Sequence, residues 1–272
     1  MPTPPTHPFQ TEAGQIQALI DRCDGDSDTF VEELHQSRVT HISFSQVYAF
    51  ESCPRQYYLR YILGKEIYPV PEYFVKGKAL HRTIANAYRA LGEGRDFGEE
   101  IIQYGGVSRF SQAGNHLRNG YLTLRQNLLP SDEVVGIEKP FVFLVEADIP
   151  PVVGVIDLIL RSGDTMILID HKTGRDFYQP DILQMAVYLS FLRSAGIQGD
   201  CEFYYDSYRW VKNLARIRKP AFERKQMVIS EREIVSQARR LVIGYEGIHR
   251  LKQGQIPERN GECFRCVYRN CC

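Results

Sequence analysis

Gly154-Val155-Ile156-Asp157, then Ser162-Gly163-Asp164-Thr165, then Asp170-His171-Lys172-Thr173-Gly174 follow one another within a short stretch of this chain. The segments that carry them, Val152–Arg161 and Thr165–His171, are short and rich in β-branched residues, so they read as strands. Gly163-Asp164 suits a two-residue hairpin turn, because glycine at the first central position favours type II′. In that register Ser162 faces Thr165, and Asp157 falls opposite Asp170. Opposed side chains point to one face with Cβ atoms about 4.5–5.5 Å apart. Lys172 lies two residues beyond Asp170 and shares its face. The strands are apolar on both faces, with Val153, Val155 and Ile159 on one and Ile156, Leu158 and Leu160 on the other, which implies burial.

Two partly buried carboxylates so close repel each other. Both stay ionised only if a cation sits between them; otherwise one takes up a proton. A divalent metal with oxygen ligands is the natural partner. Such a pair, with a lysine beside it, has the parts for phosphodiester hydrolysis: a Lewis acid at a phosphoryl oxygen and an ammonium against developing negative charge. The plainer alternative is an accidental Asp pair at the mouth of a hairpin, with Lys172 as a surface ion-pair partner.

Outward from the hairpin, the N-terminal half is helical in pattern. Residues 9–36 read as one or two helices broken near Gly25, Ser43 as an N-cap, and residues 76–91 and 107–128 as helices. Val134–Val145 reads as a strand before the hairpin. A helix over 180–195, strands at Cys201–Tyr205 and Met227–Ser230, and an amphipathic helix over 231–252 follow it. This order predicts an α/β fold, a mixed central sheet flanked by helices, rather than a doubly wound one.

The 272 residues carry 33 Lys and Arg against 33 Asp and Glu, so no global charge draws the protein to nucleic acid. A local basic stretch exists at Arg209, Lys212, Arg216, Arg218, Lys219, Arg224 and Lys225. An acidic one, Asp21, Asp24, Asp26, Asp28, Glu32 and Glu33, reads as solvated surface. The first residues lack the charged and apolar regions of a signal peptide. No apolar run is long enough to span a bilayer. A cytoplasmic protein is expected, with no membrane partner. Of seven cysteines, four crowd the last ten residues, which in a reducing compartment suggests metal before disulfide.

Gly-x-x-Asp followed by Asp-x-Lys on adjacent strands resembles the PD-(D/E)xK nuclease superfamily. The finer resemblance is to its RecB-like branch, which includes AddB-type helicase-linked nucleases and CRISPR-associated exonucleases. That branch has an upstream His on a helix and a downstream Gln-x-x-x-Tyr. Here they stand as Gly77-Lys78-Ala79-Leu80-His81 and Gln184-Met185-Ala186-Val187-Tyr188. Ser43-Phe44-Ser45, Cys53-Pro54-Arg55-Gln56-Tyr57-Tyr58 and Glu138 extend the likeness, which runs from about residue 41 to the C-terminus.

The resemblance implies a restriction-endonuclease-like sheet and cleavage of DNA, at single strands or ends, with Mg2+ or Mn2+. It makes Asp157, Asp170 and Lys172 catalytic. His81 becomes a metal ligand beside the two aspartates, with the backbone carbonyl of His171 as a fourth. Gln184 and Tyr188, one helical turn apart, would position phosphate or Lys172, and Glu138 would support the site. Taken alone, His81 reads as a structural histidine and Tyr188 as packing.

Cys263-x2-Cys266-x5-Cys272 is a dense thiolate group, and Cys53 is available as a fourth ligand. Four thiolates suit zinc or an iron–sulfur cluster. The resemblance implies the latter, a 4Fe-4S cluster, with Cys271 a weaker alternative to Cys272. Cys23 and Cys201 read as ordinary small residues. Closing residue 53 onto the tail would hold the adjoining segment, whose Arg55, Tyr58, Arg60 and Tyr61 could meet phosphates and bases or simply pack.

The expected layout is an N-terminal helical extension over 1–40 and a helical region over 41–130. The nuclease core would span 131–256 and the cluster tail 257–272. No phosphate-binding G-x-x-x-x-G-K-[ST] motif occurs, so any helicase, or any partner in CRISPR adaptation, would be another chain. A non-catalytic DNA-binding or assembly module and a zinc-stabilised nuclease are the competing readings.

Overall fold

A computed structural model describes residues 7–66, 70–129, 131–145, 148–174, 180–197, 199–210, 221–257 and 268. Among these, β1 (Ile42–Ser43), β2 (Glu133–Phe143), β3 (Val152–Ser162), β4 (Thr165–Gly174), β5 (Cys201–Arg209) and β6 (Phe222–Met227) form one mixed sheet. β3 pairs antiparallel with β2 and β4, β4 runs parallel to β5, and β5 is antiparallel to β6. β1 adds a short parallel pairing, Ile42 to Val152 and Ser43 to Val153.

The hairpin forms in the expected register, from Ser162 opposite Thr165 to Leu158 opposite Ile169. Gly163 has φ +58° at the first central position, as the turn requires. The regular ladder then stops one pair short of Asp157 and Asp170. β2 lines one edge of β3 along its whole length, so β1 and β4 must share the other edge. β1 takes residues 152–153 and β4 takes 158–162, which leaves 154–157 facing a gap. The ladder ends just before the two aspartates, so the opposed pairing expected from the turn is not continued to them.

Helices cover both faces. α1 (Gln10–Arg22) and α2 (Ser27–Ser37) form a hairpin broken at Gly25 and capped by Asp26, whose side chain accepts from Thr29 N. Its Ile16, Leu19, Ile20, Phe30 and Leu34 pack on Val153. α3 (Phe44–Ser52) is capped by Ser43, as expected, and leads into α4 (Pro54–Tyr57) and a π-helical turn at Tyr58–Ile62. α5 (Glu72–Gly92) begins four residues before the expected start. It packs with α6 (Gln112–Gln126) over Leu158, Leu160, Ile167, Ile169 and Tyr208. α7 (Ile182–Ser194) and α8 (Glu231–Lys252) cover Ile156, Leu168, Phe203 and Tyr205 on the other face. The last strand, expected at Met227–Ser230, lies at Phe222–Met227 instead. Ser230 is taken up by the capping box of α8, which pulls it out of the sheet. No helix among the described residues is long and apolar enough to cross a membrane.

α8 meets α3 through glycine. A Cβ at Gly244 would lie 2.8 Å from the fully buried, stiff Val47 side chain. Gly244→Ala should therefore lower the melting temperature, at a cost of about 1–3 kcal/mol for overpacking. Gly14→Ala in α1, where nothing lies within 4 Å, should raise stability by about 0.5–1 kcal/mol through helix propensity. Thermal melts of the two variants check the opposite signs.

Candidate active site

The gap beside β3 frees backbone groups, and the site is built by putting them to use. His171 N, which would otherwise join the ladder, donates to Asp157 Oδ2 at 2.7 Å. Val155, in the gap, lies opposite Pro140, which has no N–H to offer. Its carbonyl accepts from the Tyr188 hydroxyl at 2.9 Å. Buried backbone groups need such partners.

Asp170 is 1% exposed. Its Oδ1 accepts from Gln184 Nε2 at 2.6 Å, and the same nitrogen reaches the Tyr188 hydroxyl at 2.8 Å. Tyr188 has one proton, and the 2.9 Å contact to Val155 is better than its 3.4 Å approach to Asp170. Gln184 is thus the residue that holds Asp170, while Tyr188 ties Gln184 to β3. Both were expected to position phosphate or Lys172; their observed contacts are to the aspartate. Lys172 Nζ sits 2.6 Å from Asp170 Oδ2. That oxygen accepts no hydrogen bond of good direction, so its lone pairs are incompletely used.

Asp157 stands between two other carboxylates. Asp170 is on one side. Glu138 is on the other, between the pairs Ile137–Leu158 and Lys139–Ile156. Glu138 adopts φ +46°, a strained conformation for a non-glycine residue and one that accumulates at functional sites. Its Oε2 lies 3.6 Å from Arg89 Nη2. Burial first, and then the Asp170 charge, push the Asp157 carboxyl well above the usual carboxylate range; Lys172 and the His171 N–H only partly oppose them.

His81 comes from α5. A Cβ at Gly77, one turn earlier, would lie 2.9 Å from Thr173 Oγ1, so glycine there lets the helix close on β4. His81 Nδ1 is 3.7 Å from Asp157 Oδ2. A backbone contact with His171 raises the basicity of the ring, so the group it meets must be the acceptor carbonyl. Burial outweighs this and the carboxylates together, and lowers the pKa of His81. The neutral ring is the form that ligates metal.

The side chain of His171 packs beside Tyr208 and His81, 3% exposed. Behind it Asp206, on β5, is gripped by Arg224 at 2.7 Å through both oxygens. Sequence reasoning missed Asp206; a lone acid in an apolar strand was its only signal. Arg224 was assigned to a basic surface stretch, yet it spends its charge on this buried partner. Lys212, Arg216, Arg218 and Lys219 of that stretch lie outside the described residues. So do Cys263, Cys266, Cys271 and Cys272. Cys53 is half-buried, and its Sγ accepts from Gln56 N at 3.4 Å as the cap of α4. Tyr58 and Tyr61 pack against the main core, Arg55 lies over Tyr58 and Arg60 over Tyr61, and only Arg60 of the four is well exposed.

Among the described residues no group of three or more His, Cys, Asp or Glu side chains is arranged to hold a metal ion. By donor type alone, the carboxylates of Asp157 and Asp170 and the imidazole of His81 are hard or borderline ligands of the kind a divalent cation takes. The under-used oxygen of Asp170 and the raised pKa of Asp157 are what such a cation would relieve.

Residues 41–272 match the family model described as the PD-(D/E)XK nuclease superfamily. No curated protein matches the sequence. Among solved structures, a candidate exonuclease from Eubacterium rectale is 9% identical, with a TM-score of 0.55 over 87% of this chain and 90% of its own. That likeness is one of fold. A second structure, SSO0001, is 19% identical over 71% of this chain and 84% of its own, with a TM-score of 0.31.

The raised pKa of Asp157 makes a signed prediction for the metal-free protein. A carboxyl whose folded pKa exceeds its unfolded value adds stability below the unfolded pKa, and that stability is lost as pH rises through the folded one. Asp157→Asn removes the loss and keeps an oxygen for the His171 N–H. The melting temperature of Asp157→Asn relative to wild type should therefore rise as pH climbs above the ordinary aspartate pKa of about 3.9. A difference that shrinks as pH rises would contradict the shift.

Proposed function

The chain belongs to the PD-(D/E)XK nuclease superfamily, and on that premise we propose that it hydrolyses phosphodiester bonds of DNA, at single strands or ends, with Mg2+ or Mn2+. The observation that carries the reading is the end of the β3–β4 ladder, where His171 N meets Asp157, His81 lies 3.7 Å from Asp157 and Lys172 lies 2.6 Å from Asp170. A divalent ion held by Asp157, Asp170, His81 and the His171 carbonyl would supply Lewis-acid stabilisation of charge at the phosphoryl group. Lys172, at the open side of Asp170, would meet the charge that builds on the substrate. Gln184 fixes Asp170, the His171 N–H fixes Asp157, and Glu138 adds negative potential beside them. We place the protein in the RecB-like branch, acting in the cytoplasm, with any helicase or CRISPR-adaptation partner in trans.

The proposal extends to a 4Fe-4S cluster on Cys53, Cys263, Cys266 and Cys272. Support comes from Tyr268, which lies in the sequence between Cys266 and Cys271. It is buried, and its hydroxyl donates to Lys65 O at 3.1 Å. Tyr268 is thereby held at Lys65, which follows Cys53 and the π-helical turn. Arg55, Tyr58, Arg60 and Tyr61, on that segment, remain proposed contacts for DNA.

Two measurements test the proposal. Asp170→Ala or Lys172→Ala should lower cleavage of end-labelled single strands by about 10²- to 10³-fold or more. Gln184→Ala, which removes only support for Asp170, should cost about 10- to 100-fold. Wild-type rates from Asp170→Ala would place the chemistry elsewhere. For the cluster, anaerobically purified Cys272→Ser should lose iron and melt earlier, while Cys271→Ser keeps both. Zinc in place of iron, or the reverse ranking of the two variants, would overturn the assignment.

A further inference from the structure

The hairpin of α1 and α2 falls outside the family match, which begins at residue 41. Its acidic run was expected to be plain solvated surface, and Asp28 is not. Asp28 Oδ1 lies 2.7 Å from Lys78 Nζ. Its Oδ2 accepts from Arg82 Nη2 at 2.6 Å and Nε at 3.1 Å. One carboxylate therefore engages two cations, one on each oxygen. The two non-bridging oxygens of a phosphodiester present the same charge in a similar arrangement.

Position gives the contact its meaning. Lys78 and Arg82 are one turn apart on α5 and bracket His81 in sequence, so they share a stripe beside the one that carries His81. Phe30 and Leu34, two and six residues beyond Asp28 on α2, hold the hairpin on Val153, with Val155 packed alongside. Those valines lead directly to Asp157. Asp28 is thus fixed at the rim of the site, against the cations that a strand passing His81 would meet. All three side chains are about half exposed, and ion pairs of that exposure are weak enough to exchange.

We infer that Lys78 and Arg82 form a subsite for a backbone phosphate of a single strand, and that Asp28 occupies this subsite as a self-inhibitory latch. The inference rests on the nuclease reading above and names how its substrate is admitted. A strand displaces Asp28 oxygen for oxygen, while the apolar face of the hairpin stays docked. Duplicated negative charge at the rim lowers affinity for any strand that fails to make the exchange.

The test is binding of a fluorescent single-stranded oligonucleotide to the full chain without divalent metal, at stepped salt. Asp28→Asn should raise affinity about three- to tenfold at low salt and steepen the salt dependence, since no displaced carboxylate then takes up cations from solution in exchange. Glu32→Gln removes the same charge from α2, where Glu32 accepts from Gln36 Nε2 and not from α5, and should change affinity by less than about twofold. Lys78→Ala with Arg82→Ala should weaken binding, and Asp28→Asn should add nothing to that pair. Weaker or unchanged binding by Asp28→Asn overturns the latch. So does a gain matched by Glu32→Gln, or one that survives loss of both cations. Wild-type protein that binds the strand but does not cut it with Mg2+ or Mn2+ would remove the hydrolytic reading and leave the latch standing. Cutting by wild type with no response to Asp28→Asn would remove only the latch.

Discussion

Negative charge that has been taken out of water must be answered locally, and this constraint organises the whole molecule. Asp157 and Asp170 sit in a sheet that is apolar above and below, with Glu138 on the neighbouring strand. A continuous ladder would have satisfied the backbone and left the carboxylates unanswered. The ladder ends there instead. The freed His171 N–H goes to Asp157, Tyr188 serves the Val155 carbonyl, and Gln184 serves Asp170. What is left over is one under-used carboxylate oxygen, one carboxyl held above its ordinary pKa, and a lysine alongside. These are the groups that a divalent cation and a phosphate would complete.

The two faces of the sheet divide this labour. α5 delivers His81 from one side and α7 delivers Gln184 and Tyr188 from the other. Each helix is locked by its own core: Leu80, Ile84 and Tyr88 for α5, Leu183, Val187 and Leu192 for α7. Placement on packed elements rather than loops gives side chains the fixed geometry that catalysis needs. Arg240 adds a tie on the α7 side. It bridges Glu51 of α3 and Asp181, the N-cap of α7, so α3, α7 and α8 are braced together next to the residue that holds Asp170.

Much of this was legible in the chain. The register followed from Gly163-Asp164, because a two-residue turn leaves no freedom in pairing. The mixed sheet followed from the order of strands and helices. The end of the β3–β4 ladder was not legible, since turn geometry describes a ladder that continues and only the three-dimensional competition for donors ends it. The Asp206–Arg224 pair was hidden for a related reason. Arg224 sits among six other basic residues, and nothing local tells which of them turns inward. Gln184 and Tyr188 were found as a pair by their spacing, but spacing shows a shared helix face and not the group that face meets.

Net charge near zero takes on a different sense once the charges are placed. A protein that handles a polyanion usually advertises a basic surface, and this chain balances 33 cations against 33 anions. The described part of the structure shows how some of that balance is local. Arg224 is neutralised within the sheet by Asp206, Lys172 by Asp170, and Lys78 with Arg82 by Asp28. Cations committed in this way contribute little long-range attraction, because each field is cancelled within a few ångströms. They differ in how easily they can be released. Burial fixes the Asp206 pair, whereas the half-exposed Asp28 contact exchanges with solvent at small cost. On the proposed nuclease reading, a strand would gain most among the described cations where an internal anion can be replaced by an external one, and Asp28 beside His81 is such an anion.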